Sequence, residues 1–242
     1  YAEELGLEAA VRAIADQAEQ AVRTGKVLLV LSDRDIAPGK LPVHAALAVG
    51  AVHHRLVEQG LRCDCNILVE TATARDPHHF AVLCGFGASA VYPYLAYELL
   101  ADLVRNGEVL GDLHEVFKYY RKGISKGLLK VLSKMGISTI ASYRGAQLFE
   151  AVGLADEVVE LSFRGVASRI KGARFVDLEA EQKMLAQEAW STRRPIQQGG
   201  LLKFVHGGEY HAYNPDVVTM LQMAVQQADY ARFKEYTALV DN

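Results

Sequence analysis

The sequence predicts an α/β fold with a mostly parallel sheet and flanking helices. Three observations carry this expectation. Five times a short apolar run stops at a polar cluster and a helical stretch follows: KVLLVL ends at Ser32-Asp33-Arg34-Asp35, CNILV at Glu70, ASAVYPY at two tyrosines, STIA at Ser142-Tyr143-Arg144, and EVVEL at Ser162-Phe163-Arg164. The runs are rich in Val, Ile and Leu and lack polar alternation, which suits strands covered by helices on both faces. Polar residues just past such strands converge on one rim, where α/β folds meet ligands and neighbouring domains.

Each element has its own local reason. Leu5, Leu7, Ala10, Val11, Ile14, Ala18 and Val22 recur at helical spacing, so an amphipathic helix precedes the first strand and closes near Gly25. After the SDRD cluster, Ala37-Pro38-Gly39-Lys40-Leu41-Pro42 reads as a loop. Residues 43–59 are apolar on nearly all sides and stop at Gly60, the pattern of a buried helix with a glycine stop. CNILVE supplies the second strand. Asp76-Pro77 then starts a helix through Cys84, with a capping acid ahead of proline at the first helical position.

Gly85-Phe86-Gly87 ends that helix, and ASAVYPY is the third strand. The stretch to about residue 135 holds helices separated at Asn106-Gly107 and Gly111-Asp112. STIASYRGAQLFEAVGL is read as strand, polar corner and helix closed by Gly153, with EVVEL as a further strand. From 163 to 195 the rhythm is lost: FRGVASRIKGARFVD is glycine-spaced and basic, a helix carries Leu178, Met184, Leu185 and Trp190, and Arg193-Arg194-Pro195 marks a boundary. A glycine-rich loop then leads to one or two helices starting at Asn214-Pro215.

Composition excludes several classes. An apolar content of 50% in 242 residues is ample for a continuous core. Net charge is only -3 and the 26 basic residues lie among 29 acidic ones, so nucleic acid is not an expected partner. The apolar runs fall far short of the roughly 20 residues of a bilayer span, and no basic-then-apolar leader opens the chain, so a soluble cytoplasmic protein is expected. Tyr1 in place of Met, and an end at Asp241-Asn242 without closure, read as ends cut from something longer. Cys63, Cys65 and Cys84 form neither a disulfide framework nor a zinc pattern and are expected as buried thiols.

The candidate sites are few. Adjacent histidines on a helix point about 100° apart, so His53-His54 and His78-His79 are expected in packing and capping and not as metal ligands. Gly165 to Gly172, GVASRIKG, has the composition of an anion cradle but no fingerprint order. Asp33, Arg34, Glu70, Arg75, Tyr92, Tyr94 and Arg144 form the one constellation that strand-end convergence could assemble for acid-base work, and ion pairs with loop backbone fit it equally well. Lys118, Arg121, Lys122, Lys126, Lys130 and Lys134 make a basic belt, either a solvated helix face or a surface for docking on an acidic partner.

LLVLSDRDIAPGKLPVHAALAVGAVHHRLVEQGLRCDCNILVETATARDPHHFAVLCGFGASAVYPYLAYE, with YRKGISKGLLKVLSKMGISTIASYRGAQLFEAVGL, resembles the central domain of the large chain of bacterial glutamate synthase. HGGEYHAYNP, residues 206–215, looks like the start of that enzyme's FMN-binding domain. The resemblance implies a central domain over 1–164 with an incomplete (β/α) barrel-like fold, a linker region over 165–195, and the N-terminal start of the FMN-binding domain over 196–242.

It further implies a longer polypeptide in which a glutaminase domain releases ammonia from glutamine and a tunnel carries it to FMN. There 2-oxoglutarate becomes glutamate with electrons from an iron-sulfur cluster, supplied in the NADPH-dependent form by a smaller flavoprotein subunit. The central domain would link the catalytic domains and help wall the tunnel, with 43–59 and 128–152 as apolar wall material. No catalytic, cofactor-binding or metal-ligating residue is carried over to any position here, and the fragment alone is expected to be inactive. Its rim and the loop His206 to Asn214 would be interdomain surface, and the tail either docks on the central domain or pairs between copies. The alternative is a freestanding barrel-like enzyme that binds a small anionic metabolite in a rim pocket containing Arg34, Glu70 and Arg144.

Overall fold

The computed structural model describes residues 1–191 and 202–241, and the chain divides into two compact units, Tyr1–Trp190 and Ser191–Asn242. The first unit opens with α1 (Leu7–Arg23), then β1 (Leu28–Ser32), α2 (Ala45–Glu58), β2 (Asn66–Glu70), α3 (Pro77–Gly85), β3 (Ala90–Tyr92), α4 (Tyr94–Arg105) and α5 (Leu113–Met135). It continues with a single turn, α6 (Ile140–Tyr143), then β4 (Glu150–Leu154), α7 (Asp156–Ser162), β5 (Ala167–Ala173) and α8 (Phe175–Ala189). The second unit contains α9 (Pro215–Gln227) and α10 (Tyr230–Asp241).

Strands β1, β2 and β3 lie side by side in that order, all parallel, with Ser32 level with Glu70 and Glu70 level with Tyr92. β4 and β5 form a separate parallel pair whose register shifts on both sides of Val152. The expected α/β class therefore holds, and among the described residues the strands close no barrel.

Helix α2 ties the two sheets together. Val49, Val52 and Leu56 pack with Ile67 and Val69 of the first sheet, whereas Leu47 and Ala51 pack with Ala151, Val158 and Phe163 around the second. That is why residues 43–59 look apolar all round: the helix has two covered sides. α1 divides likewise, with Leu7, Val11 and Ala15 in the second cluster and Ala18 and Val22 in the first. At Gly50 a Cβ would sit on the carbonyl oxygen of Ser162, so glycine is what lets α7 approach α2.

Two of the five expected strands are helices. STIA runs from a coil into α6, which takes Ile140 and Ala141; Ile140 is exposed and the Thr139 and Ser142 hydroxyls bond each other at 3.1 Å. EVVEL lies in α7, whose first turn carries Asp156 and Glu157, acids favoured at a helix start, and which buries the adjacent pair Val158 and Val159 together. A strand would have sent those valines to opposite faces. The second sheet instead takes β4 from the stretch read as a helix end, and β5 from the glycine-spaced segment that had looked irregular.

In the second unit, Asn214 caps α9 by accepting from the amides of Asp216 and Val217 at 3.0 and 3.1 Å, the expected Asn-Pro start. Tyr230, Phe233 and Tyr236 form an aromatic row on α10. The expected boundary at Arg193-Arg194-Pro195 lies outside the described residues.

Candidate strand-end site

The parallel register brings Ser32, Glu70 and Tyr92 to one level, and the residues after them meet there. Asp33 accepts from the Thr71 hydroxyl at 2.5 Å and from the Ala72 amide at 3.1 Å, which fastens the loop after β1 to the loop after β2. Thr71 is completely buried, so this carboxylate supplies the partner that its hydroxyl needs. Ser32 donates to Glu70 at 2.6 Å, and Arg34 pairs with the other oxygen of Glu70 at 2.8 Å, with Glu98 further off at 3.7 Å.

The Arg34 guanidinium lies 4.3 Å from the Tyr94 ring centre and 5.9 Å from that of Tyr92. Burial, followed by its bond to Asp33, pushes the Tyr94 phenol up to about 12, so it stays protonated across the physiological range. Asp33, Arg34, Glu70, Tyr92 and Tyr94 are thus brought together as expected. Arg75 is exposed at the entrance to α3, where its backbone amide donates to His79 at 3.2 Å and its carbonyl accepts from Tyr120 at 2.9 Å.

Arg144 does not belong to this rim. It donates to Ser89 at 3.2 Å, and Ser89 donates to Asn66 at 3.0 Å, which places it at the amino ends of β2 and β3. At ~3.3 Å per residue the five-residue β2 separates the two poles by about 13 Å. The cause is local: residues 140–143 are helical, so no strand tip carries Arg144 to the rim. A single pocket holding Arg34, Glu70 and Arg144, as the freestanding-enzyme alternative requires, is therefore not formed.

The histidine pairs serve packing and capping. His53 accepts from Arg62 at 3.0 Å, and Arg62 also reaches the carbonyls of Cys65 and Gly87 at 2.8 Å each. Burial, with the Arg62 cation beside it, takes His53 down to about 4, so the ring is neutral. Asp76 caps α3 by accepting from the His78 and His79 amides at 2.9 and 3.2 Å, and His79 closes a capping box.

GVASRIKG is strand β5 and its flanks, with Gly172 pressed against the Gly153 backbone, so its glycines serve sheet pairing and form no anion loop. Its cations are engaged as well: Lys171 pairs with Asp156, and Arg169 lies 3.8 Å from Glu150. Of the cysteines expected to be buried, Cys65 is, Cys84 is half-buried and Cys63 is exposed. Among the described residues no three His, Cys, Asp or Glu side chains converge on a point that could hold a metal.

Two cavities flank α2. One of about 490 Å³ lies between α1, β1 and the loop before α2, and includes Ser32, Asp33 and Glu70. The other, about 380 Å³, is walled by Ala45, Ala46, Leu47, Ala74, Val82 and Leu83, with His44, His78 and His79 on its lining. Burial holds the His44 imidazole below its ordinary value, opposed by Glu181. Sequence reasoning passed over His44, whose signal is an isolated polar residue heading the apolar run AALAVGAV.

Comparison with known proteins adds the context. A family model described as the glutamate synthase central domain matches residues 1–155. The NADPH glutamate synthase large chain of Bacillus subtilis is 40% identical over 97% of this chain and 16% of its own length. The ferredoxin-dependent glutamate synthase 1 of Arabidopsis thaliana is 40% identical over 98% of this chain and 15% of its own. The NADH glutamate synthase of Schizosaccharomyces pombe is 38% identical over 96% and 11%. This chain therefore spans less than a fifth of the length of these relatives. A mutant flavocytochrome b2 with pyruvate bound aligns with 66% of this chain and 40% of its own at 14% identity and a TM-score of 0.41, too slight a likeness to bear on the fold.

Proposed function

Since this chain belongs to the glutamate synthase central-domain family, which its residues 1–155 match, we propose that it is the connecting domain of a longer glutamate synthase polypeptide and helps to wall an ammonia passage between a glutaminase site and an FMN site. That polypeptide would convert glutamine, 2-oxoglutarate and reductant to two molecules of glutamate in the cytoplasm. Its remaining domains and a smaller NADPH-dependent flavoprotein subunit would be the partners of this one.

The observation that supports this reading is how the polar groups of the rim are used. Asp33 is committed to Thr71 and Ala72, and Arg34 to Glu70 and Tyr94, so these side chains fasten loops. Next along the chain from Thr71 and Ala72, Thr73 and Ala74 line the 380 Å³ cavity with its mainly apolar wall. Ammonia must travel as the neutral molecule, and a largely apolar wall on which His44 is held toward its neutral form limits the protons offered to it. The FMN and iron-sulfur cluster that the longer enzyme implies would be held by its other domains.

The test is coupling in the full-length enzyme. Ala46→Phe or Val82→Phe should fill the cavity, so that glutamine hydrolysis persists while glutamine-dependent glutamate formation falls and ammonia-supplied glutamate formation is retained. Full coupling in both variants would remove the passage from this cavity. Turnover of glutamine by the 242-residue chain alone would remove the connecting-domain reading itself.

A further inference from the structure

Helix α5 presents a face that the fold does not use. Lys118, Lys122, Lys126, Lys130 and Lys134 recur every fourth residue, so at about 100° per residue each step advances about 40° and the five sweep an arc of about 160°. All five are exposed, and among the described residues none lies within ion-pair distance of a carboxylate. The helix holds six cations against one acid, Glu115, in a chain whose net charge is -3. The positive charge is thus concentrated on a single element.

The core side of α5 lies mostly outside this arc: Ile124 and Leu132 are buried there, while Val116 is buried at the angle of Lys134, on the arc's edge and about five turns away. Gly127 admits Pro77 of α3 so closely that a Cβ there would strike the proline ring. On the lysine arc the side chains of Tyr119 and Leu129 stand 65% and 66% exposed. By helical position Leu129 falls between Lys118 and Lys122, and Tyr119 between Lys126 and Lys130. A lone exposed leucine needs no explanation, but two large apolar groups set inside an arc of unpaired lysines give a contact surface with anchors and a charged rim.

We propose that this α5 face docks an acidic surface of another domain of the same longer polypeptide, with Tyr119 and Leu129 at the centre of the contact. The proposal rests on the connecting-domain reading. It favours a protein partner because every cation of the arc is lysine, with Glu115 the one acid among them: bidentate phosphate recognition favours arginine, and the single arginine of α5, Arg121, falls outside the arc. It favours a tethered partner because most of each relative's length lies outside the region this chain matches. Interfaces between domains of one chain are more polar than obligate ones, and tethering lets a modest charged patch suffice.

The experiment measures acetylation of individual lysines by mass spectrometry in the native full-length polypeptide, with exposed Lys26 as internal reference. At low salt the five α5 lysines should react at least about tenfold more slowly than Lys26, and should approach it at 1 M NaCl, where the screening length is about 3 Å. Equal reactivity at low salt would overturn the proposal. Lys126→Glu with Lys130→Glu should deprotect Lys118, Lys122 and Lys134, whereas Lys126→Arg with Lys130→Arg should leave them protected. Deprotection in neither pair, or protection that vanishes on nuclease treatment or detergent extraction, would overturn it too. Coupling of hydrolysis to glutamate formation is read in the same samples: protected lysines with an unaltered Ala46→Phe enzyme would sink the passage alone, and reactive lysines with a leaky one would sink only the docking face.

Discussion

The two parallel sheets of the first unit share a helix yet are written in different alphabets. In the first, central strand β2 buries Ile67 and Val69 almost completely, and its neighbours repeat the same Val and Leu vocabulary. In the second, EAVGL and ASRIKGA bury Ala151 but leave Val152 and Ile170 at 62% and 61% exposure, admit glycines at 153 and 172, and break register twice. A strand flanked on both sides and covered on both faces must be continuously apolar. A two-stranded pair with one covered face tolerates polar residues, bulges and glycine. In the central strand β2 the apolar run reports burial, whereas in β1, where Leu28 and Val30 stand 55% and 57% exposed, it reports residues that favour strands.

Four measurements would break or sharpen that contrast. Ile67→Ala should cost about 4 kcal/mol in urea unfolding, because a fully buried branched side chain leaves a cavity in the middle of the first sheet. A loss below about 1 kcal/mol would mean that this sheet is no better packed than the second. Gly50→Ala should cost about 2 kcal/mol by forcing α2 and α7 apart at Ser162, and hydrogen exchange should rise in α7 and β4 before it rises in β2.

The third concerns pH. His53 is neutral in the folded state with its value lowered to about 4 from 6.5. Its contribution to stability is therefore complete above about 6.5 and is lost as pH falls from there toward 4, since the unfolded chain binds the proton first. After allowance for its partial solvent access the loss should be on the order of 1 kcal/mol, and His53→Gln should flatten that part of the stability profile. The smallest effect belongs to the open face of the second sheet. Val152→Thr should change unfolding free energy by less than about 0.5 kcal/mol, and a cost near that of Ile67→Ala would show that face to be covered.

The same contrast explains what could be read in advance. β1, β2 and β3 show themselves by unbroken apolar runs, although Leu28 and Val30 of β1 stand 55% and 57% exposed, and Asp76-Pro77 and Asn214-Pro215 mark helix starts by chemistry that acts within three residues. STIA and EVVEL are short apolar runs whose period is ambiguous, and position decided against them: acids at 156 and 157 suit a helix start, and Val158 with Val159 suits a helix lying on a core. Arg144 left the rim for the same reason. At the site, Asp33, Arg34, Glu70, Tyr92 and Tyr94 were legible because parallel strands deliver their tips to one place. Thr71 was not, because what singles it out is burial beside a partner distant in the chain.

A helix enclosed on two opposite sides has almost no permissive position. Along α2, Leu47, Ala48, Val49, Gly50, Ala51, Val52 and Leu56 are all hidden, and Val57 and Glu58 at its carboxyl end are open to solvent. Scanning every substitution through this unit for loss of folded protein should therefore mark residues 47–52 as an unbroken intolerant block. On α1 and α5, by contrast, the sensitive positions should recur once per turn, with tolerant ones between.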